Sequence, residues 1–347
     1  MRILRTLLVV LAVLAVLLVA VAFVLPRHVH VERSTTIAAP QATVYALVSG
    51  FRSFHSWSPW YDRDPGATYR FEGPAWGVGA KMSWSSEKPD VGSGSQEIVE
   101  AVPNERVRTR LDFGADGQAT GEFRLAAAPG GTLLTWGFDT DLGNNPLARY
   151  FGRLFDGMIG PDYEKGLASL MRLAEGLPQA DFADLEVELV DAAPILVAYA
   201  TCASSRDPAE IGAALGVAYA RVGKFMAARR LTQTAAPIRI TTGWDESGFG
   251  FEAAIPIDRE PEKPVPAGSP VQIGQTRGGK ALRAVHRGAY AGMPATYDKL
   301  LAYAAAYGHE IEGSSWDQFV SDPGTIPEAE LVTHMYVPLK PESRRGP

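Results

Sequence analysis

What the chain lacks narrows it first. Its 347 residues contain one cysteine, Cys202, which excludes an intramolecular disulfide and a cysteine-rich metal site. The six histidines are scattered, without His-x-x-x-His spacing or an accompanying carboxylate pair, so no metal is expected. Outside the extreme ends there is no Lys/Arg cluster longer than a few residues, and the formal net charge is -6. A phosphate backbone needs a basic face, so nucleic acid is not an expected partner. No glycine-rich loop carries a strand into a helix with the spacing of a phosphate or dinucleotide site. The glycines of "GPAWGVGAK" read as a turn and strand entry. No Gly-x-Ser-x-Gly elbow is present, and Cys202 near a strand end reads as buried filler. No cofactor and no catalytic residue is assigned.

What is present begins at the N-terminus. From Leu7 to Leu25 the chain has no charge, proline or glycine, and at about 1.5 Å per residue the run spans roughly 28 Å, close to bilayer thickness. A cleaved signal peptide competes with an uncleaved anchor, because Ala20-Val21-Ala22 fits a small-residue cleavage pattern. The apolar run continues through Phe23-Val24-Leu25 to Pro26, which favours the anchor. Residues 1–26 are therefore read as a single transmembrane helix. Arg2 and Arg5 favour a cytoplasmic N-terminus, opposed by Arg27 and Arg33 on the far side. The rest of the chain is then expected on the outer, periplasmic face of the cytoplasmic membrane.

Residues 27–176 follow as an alternating strand, a helical stretch with Val44, Leu47 and Val48 on one side, and six runs of period-2 character separated by Gly, Asp and Pro. They close with "NPLARYFGRLFDGMIGPDYEKGLASLMRLAEG", where Leu147, Phe151, Leu154, Phe155, Met158, Leu167, Leu170 and Met171 recur at helical spacing. Gly160-Pro161 is expected to kink or restart that helix. Residues 177–183 read as a linker. Residues 184–341 then read as strand "LEVELVDAAPILVAYATCA", a helix over roughly 208–230, strands "IRITTGW" and "FGFEAAIPI", and again strand "GKALRAVHRG", a helix over about 294–307, and strands "SWDQF" and "LVTHMYVPL". The recurrence predicts a duplicated strand-helix-strand-strand unit with a cleft at its pseudo-twofold axis. Residues 342–347 read as a disordered tail. The fold class is α+β.

Two family resemblances rest on these residues. "AAPQATVYALVSGFRSFHSWSPW" with "MIGPDYEKGLASLMRLAEG" resembles the SRPBCC, START-like superfamily in its polyketide cyclase/dehydrase-like branch. That implies an antiparallel sheet curled around the last helix over an apolar cavity, and not one chemistry. "RAVHRGAYAGMPATYDKLLAYAAAYG" with "SWDQFVSDPGTIPEAELVTHMYVPL" resembles a GyrI-like domain, the effector-binding module of multidrug-responsive regulators. No helix-turn-helix accompanies it here.

The odd residue of "SWDQF" is Asp317, a type depleted from strands. The GyrI-like pattern implies a glutamate there and a tyrosine two residues on, both lining the cleft; this chain has Asp317 and Phe319. Alternation places these two on one face, where a carboxylate beside an aromatic ring suits a lipophilic cation. Tyr290 matches a family position that faces the cleft, and His286 at a strand end is a further ligand-bonding candidate. Some family members resemble hydrolases; the shorter aspartate and the missing phenol weaken general acid/base work here. In the first domain Trp57 and Trp60 either gate the cavity or pack on the sheet. Together these expectations describe a membrane-anchored protein with two hydrophobic pockets that binds or senses lipophilic compounds, cations among them. The alternative is an enzyme, either cyclase/dehydratase-like in the first domain or a hydrolase in the second.

Overall fold

The computed structural model describes residues 2–246 and 248–341; the expected disordered tail over 342–347 lies outside them. The chain divides into two compact units, one ending at Ala183 and one beginning at Asp184. The first unit opens with helix α1 (Arg2–Val24), long and apolar enough to cross a membrane. Then come β1 (His28–Ile37), α2 (Gln41–Val48), α3 (Pro59–Arg63), β2 (Thr68–Glu72), β3 (Lys81–Ser85), β4 (Ser93–Val102), β5 (Arg106–Asp112), β6 (Gln118–Ala128), β7 (Gly131–Asp141), α4 (Pro146–Gly152) and α5 (Phe155–Glu175).

The seven strands form one antiparallel sheet in the order β1-β7-β6-β5-β4-β3-β2. Hairpin connections join β2 through β7, and β1 closes against β7 from His28↔Asp141 to Ile37↔Thr132. The inward side chains of this meander pack with α2 and α5 into one core that includes Ile37, Leu47, Ile98, Leu134, Leu167 and Leu170. Arg33 on β1 crosses α5 at Gly160, where a Cβ would fall 2.1 Å from its guanidinium, and bonds to Asp156 and Glu164 on either side.

Two expectations about this helix are corrected. Of the kink or restart expected at Gly160-Pro161, the restart does not occur: α5 continues through Pro161, and the break falls earlier, between α4 and α5 at Arg153 and Leu154. The apolar stripe is also not uniformly core. Phe155, Leu167 and Leu170 join it, whereas Leu147, Phe151, Leu154 and Met158 are exposed.

The second unit contains β8 (Val187–Ala192), β9 (Leu196–Ser204), α6 (Pro208–Arg229), β10 (Ile238–Asp245), β11 (Gly248–Pro256), β12 (Gln272–Gln275), β13 (Gly279–Arg287), α7 (Met293–Ala306), β14 (Trp316–Phe319) and β15 (Val332–Pro338). Their sheet order is β12-β9-β11-β10-β14-β15-β13-β8. The expected single strand over "LEVELVDAAPILVAYATCA" is in fact two. Pro194 falls in the gap, where its ring would remove a ladder donor, and β8 pairs with β13 whereas β9 pairs with β11 and β12. The run β9-α6-β10-β11 occupies sheet positions β9-β11-β10, and the run β13-α7-β14-β15 occupies β13-β15-β14; the two triplets meet at β10–β14.

Candidate functional site

Helix α6 starts where the sequence signals it. Asp207 accepts hydrogen bonds from the Ala209 and Glu210 amides, with Pro208 in the first turn. Its inward stripe of Ile211, Leu215, Ala218 and Val222 is buried against β9 and β11. Beside that stripe lies a cleft of about 690 Å³ lined by α6, the start of β10, the segment entering α7 and the turn after β14. Its walls are mostly apolar or aromatic, with Leu215, Tyr219, Tyr290, Met293 and Phe319 among them, and Arg239 and Asp322 carry its charge. Gly212 and Gly216, one turn apart on α6, also face it.

Asp317 and Phe319 have different fates. Phe319 lines the cleft, with its ring edge against Tyr290 at 5.2 Å between centroids. Asp317 is 0% exposed and is not a lining residue. Register sets it directly opposite Arg239 on β10, and Arg239 Nε and Nη2 donate to its Oδ2 at 2.9 and 2.6 Å. The Tyr297 hydroxyl, from α7, donates to Oδ1 at 2.8 Å. Burial pushes the Asp317 carboxyl up, against the opposing pull of Arg239 and the Tyr297 hydrogen bond. Burial, with Asp317 adding to it, holds the Tyr297 phenol far above its ordinary value, so it remains a donor. The guanidinium carbon of Arg239 lies 5.2 Å from the Phe249 ring centroid and 5.9 Å from that of Phe319. The charge facing the cleft wall is thus Arg239, with Asp317 behind it.

Trp316 points to the other face of the sheet, where its ring stacks on Tyr336 at 4.8 Å. His286 is buried away from the lining residues. Its Nε2 lies 2.9 Å from the Ala289 carbonyl and its Nδ1 2.8 Å from Thr296 Oγ1. A carbonyl only accepts, so Nε2 carries a proton and donates to Ala289, and Nδ1 is held by the Thr296 hydroxyl. Both ring nitrogens are thereby spent on positioning the entry to α7.

In the first unit Trp57 is buried, with edge contacts to Phe54, Phe123 and Trp136. Trp60 meets Trp136 and Tyr163 edge-on, and Tyr163 stacks on Trp136 at 3.9 Å. These rings pack between the sheet and α5. Among the described residues, Trp57 Nε1 and Ser58 Oγ are buried there without a hydrogen-bond partner, an unusual condition for buried polar atoms.

Sequence reasoning missed Arg239, Tyr219 and the two cleft glycines. Arg239 stands in a strand of alternating character, as an unpaired-looking charge in "IRITT". Only its pairing with a residue 78 positions away reveals its role.

Comparison with known proteins agrees with both resemblances. The family described as polyketide cyclase/dehydrase and lipid transport matches residues 28–175, and the GyrI-like small molecule binding domain matches residues 244–340. No curated protein matches the chain. Among solved structures, a cryo-EM structure of an EcmrR–DNA complex is similar at 14% identity and a TM-score of 0.40, over 45% of this chain and 57% of that one. This chain therefore spans little more than half of that neighbour's length. The crystal structure of the EcmrR C-terminal domain is similar at 15% identity and a TM-score of 0.38, over 45% of this chain and 98% of that one. A hydrolase from Listeria innocua is similar at 11% identity and a TM-score of 0.34, over 45% and 92%. From its two family matches, the chain carries a polyketide cyclase/dehydrase and lipid transport domain followed by a GyrI-like small molecule binding domain.

Proposed function

We propose that this is a membrane-anchored small-molecule-binding protein in which the cleft of the second unit holds a lipophilic ligand. The observation that carries the reading is the cleft itself: about 690 Å³, open along α6 at Gly212 and Gly216, and walled by Leu215, Tyr219, Tyr290, Met293 and Phe319. Its volume and apolar walls with a few polar groups suit a drug-sized ligand. In this reading α1 is the anchor, Arg2 and Arg5 hold the N-terminus in the cytoplasm, and both units stand on the outer face of the cytoplasmic membrane. In the first unit the interior at Trp57 is filled by the rings of Phe123, Trp136 and Tyr163, so the ligand reading is kept to the second unit.

The ligand's charge follows from Arg239. A cation could reach Asp317 only by displacing the guanidinium that already holds Oδ2. Nη1 of Arg239 makes no hydrogen bond among the described residues, which favours a neutral aromatic ligand with an acceptor group, since Asp317 already neutralises the guanidinium and the Asp322 carboxylate on the same lining opposes an anion. Asp317, with both oxygens engaged, is also a poor proton acceptor for a bound water, so binding is favoured over hydrolysis. The test is a thermal-shift series on the full chain in detergent, using neutral, anionic and cationic forms of one aromatic scaffold. Ligand bound only to the folded state raises the midpoint with concentration. Neutral compounds should shift wild type and lose their effect in Phe319→Ala. A shift confined to cations and abolished by Asp317→Asn would overturn the charge assignment. A shift that ignores Phe319→Ala would move the ligand out of this cleft.

A further inference from the structure

We propose that the corner between α4 and α5 is a membrane-contact surface, seated at the boundary of headgroups and acyl chains in the leaflet from which α1 emerges. It rests on the reading of α1 as an uncleaved anchor.

The first observation is an apolar face left uncovered. Leu147, Phe151, Leu154 and Met158 follow one another at intervals of four, three and four, and are 69%, 61%, 55% and 62% exposed. Leu147 and Phe151 lie one turn apart on α4, and Leu154 and Met158 are four apart at the start of α5, so each pair shares one side of its own helix and the two pairs flank the corner. Farther along α5 the apolar stripe is buried at Leu167 and Leu170, so it leaves the core as it nears α4. An isolated exposed leucine needs no explanation, but a cluster of this kind marks an interaction surface.

The second observation fixes its occupant. Helix α4 lies along the last turns of α1: the Tyr150 hydroxyl donates to the Leu18 carbonyl at 2.7 Å, and Arg149 Nη1 to the Phe23 carbonyl at 3.3 Å. The Arg149 guanidinium carbon is 5.2 Å from the Phe23 ring centroid. Leu18 is six residues before the end of α1 at Val24, or roughly 9 Å at 1.5 Å per residue. An α1 that spans the bilayer therefore carries α4 into the membrane boundary. In-plane amphipathic helices bury their apolar face about 5–10 Å into that boundary, a matching depth.

Local chemistry agrees with a lipid neighbour. Asn145 caps α4 by accepting from the Leu147 and Ala148 amides, and Pro146 begins it, so the short helix is closed at its start. Arg149 is turned inward to the carbonyls of Gly143 and Phe23. Arg153 is exposed between Phe151 and Leu154 and makes no ion pair among the described residues, a suitable placement for a lipid phosphate. The corner is also held rigidly. Only Leu25, Pro26 and Arg27 separate α1 from β1, Arg27 pairs with Asp141 at 2.5 Å, and Phe155 packs edge-on against Phe138 in the core. The first unit would then rest on the membrane and not swing from a tether.

The test uses the full chain with Cys202→Ala and single cysteines at position 151, 158, 14 or 68, each carrying an environment-sensitive fluorophore, in vesicles of phosphatidylcholine and phosphatidylglycerol. Position 14 lies in α1, and position 68 is an exposed site on β2 at the sheet edge opposite β1. Quenching by lipids brominated high on the acyl chain should remove most emission at 151 and 158, lipids brominated near the chain end should do so at 14, and position 68 should be open to aqueous iodide. Loss of emission at 14 with 151 and 158 open to iodide would overturn the contact surface and leave the anchor standing. Probes at 151 and 158 shielded from both quenchers would overturn it in favour of a second copy of the chain. An unquenched probe at 14 would end the anchor reading and this proposal with it.

Discussion

Gly212 and Gly216 lie one turn apart on α6 and face the cleft, and a Cβ built at either meets no atom within 4 Å. A glycine in a helix interior costs about 1 kcal/mol relative to alanine, so Gly216→Ala should stabilise the unit by about that much, because nothing opposes the added methyl. For a unit of this size the gain should raise the melting midpoint by about 2–4 °C. Gly216→Leu should keep part of that gain and place its branched side chain in the space reserved for ligand. Thermal denaturation of both variants, with and without a compound that shifts wild type, therefore gives two readouts of opposite sign. The midpoint without ligand rises while the ligand-induced shift is lost. A folding defect would lower both. Unchanged ligand response in Gly216→Leu would refute occupation of this cleft, and a lower midpoint in Gly216→Ala would refute the claim that the space is open.

Asp317→Asn should cost about 3 kcal/mol, because it leaves the largely buried Arg239 without its counter-charge; pairing Asp317→Leu with Arg239→Met should recover most of that in a denaturation cycle. Additive losses would show that the two side chains do not act as a pair. His30 titrates above its ordinary value of 6.5, chiefly through its hydrogen bond to Asp139, with Glu32 adding to it. Its raised folded pKa contributes stability that is complete below 6.5 and fades as pH climbs through the folded value, so His30→Gln should flatten stability over that interval; an imidazole titrating by NMR at or below 6.5 would contradict this. Gly131 has φ +147°, and a Cβ there would fall 2.0 Å from the Ile37 carbonyl, so Gly131→Ala should lower stability of the first unit by at least about 1 kcal/mol. A neutral result would mean that β1 and the β6–β7 turn can separate freely.

The β meander was legible because each run alternates and each break holds Gly, Asp or Pro, and all six runs are strands in sequential order. Helix α6 was legible from Asp207-Pro208 and its stripe. Periodicity could not distinguish an apolar residue facing protein from one facing something else, and so Leu147, Phe151, Leu154 and Met158 were grouped with Leu167 and Leu170. Alternation placed Asp317 and Phe319 on one face but could not say which would meet open space. That depended on Arg239 and Tyr297, which arrive from β10 and α7 and are invisible without strand pairing. The carboxylate meant for a ligand already has a guanidinium on it. His286 and Trp57 illustrate the same limit, since a polar residue at a strand end or an aromatic one between helical turns serves packing and ligand equally well until its partners are known.

The meeting of β10 and β14 is short. Three residue pairs, Ile238↔Gln318, Arg239↔Asp317 and Ile240↔Trp316, make the ladder, flanked by backbone bonds from Phe319 to Pro237 and from Thr241 to Ser315. The middle pair is the ion pair, so backbone and side-chain links between the two strand triplets coincide at one rung. Arg239 is a rung of this ladder and Phe319 flanks it, and both are walls of the cleft, so a guest that pushed them apart would strain the joint of the whole sheet. A guest in the proposed cleft would thus load a single seam, and amide protons at Phe319 and Thr241 would be its strain gauge.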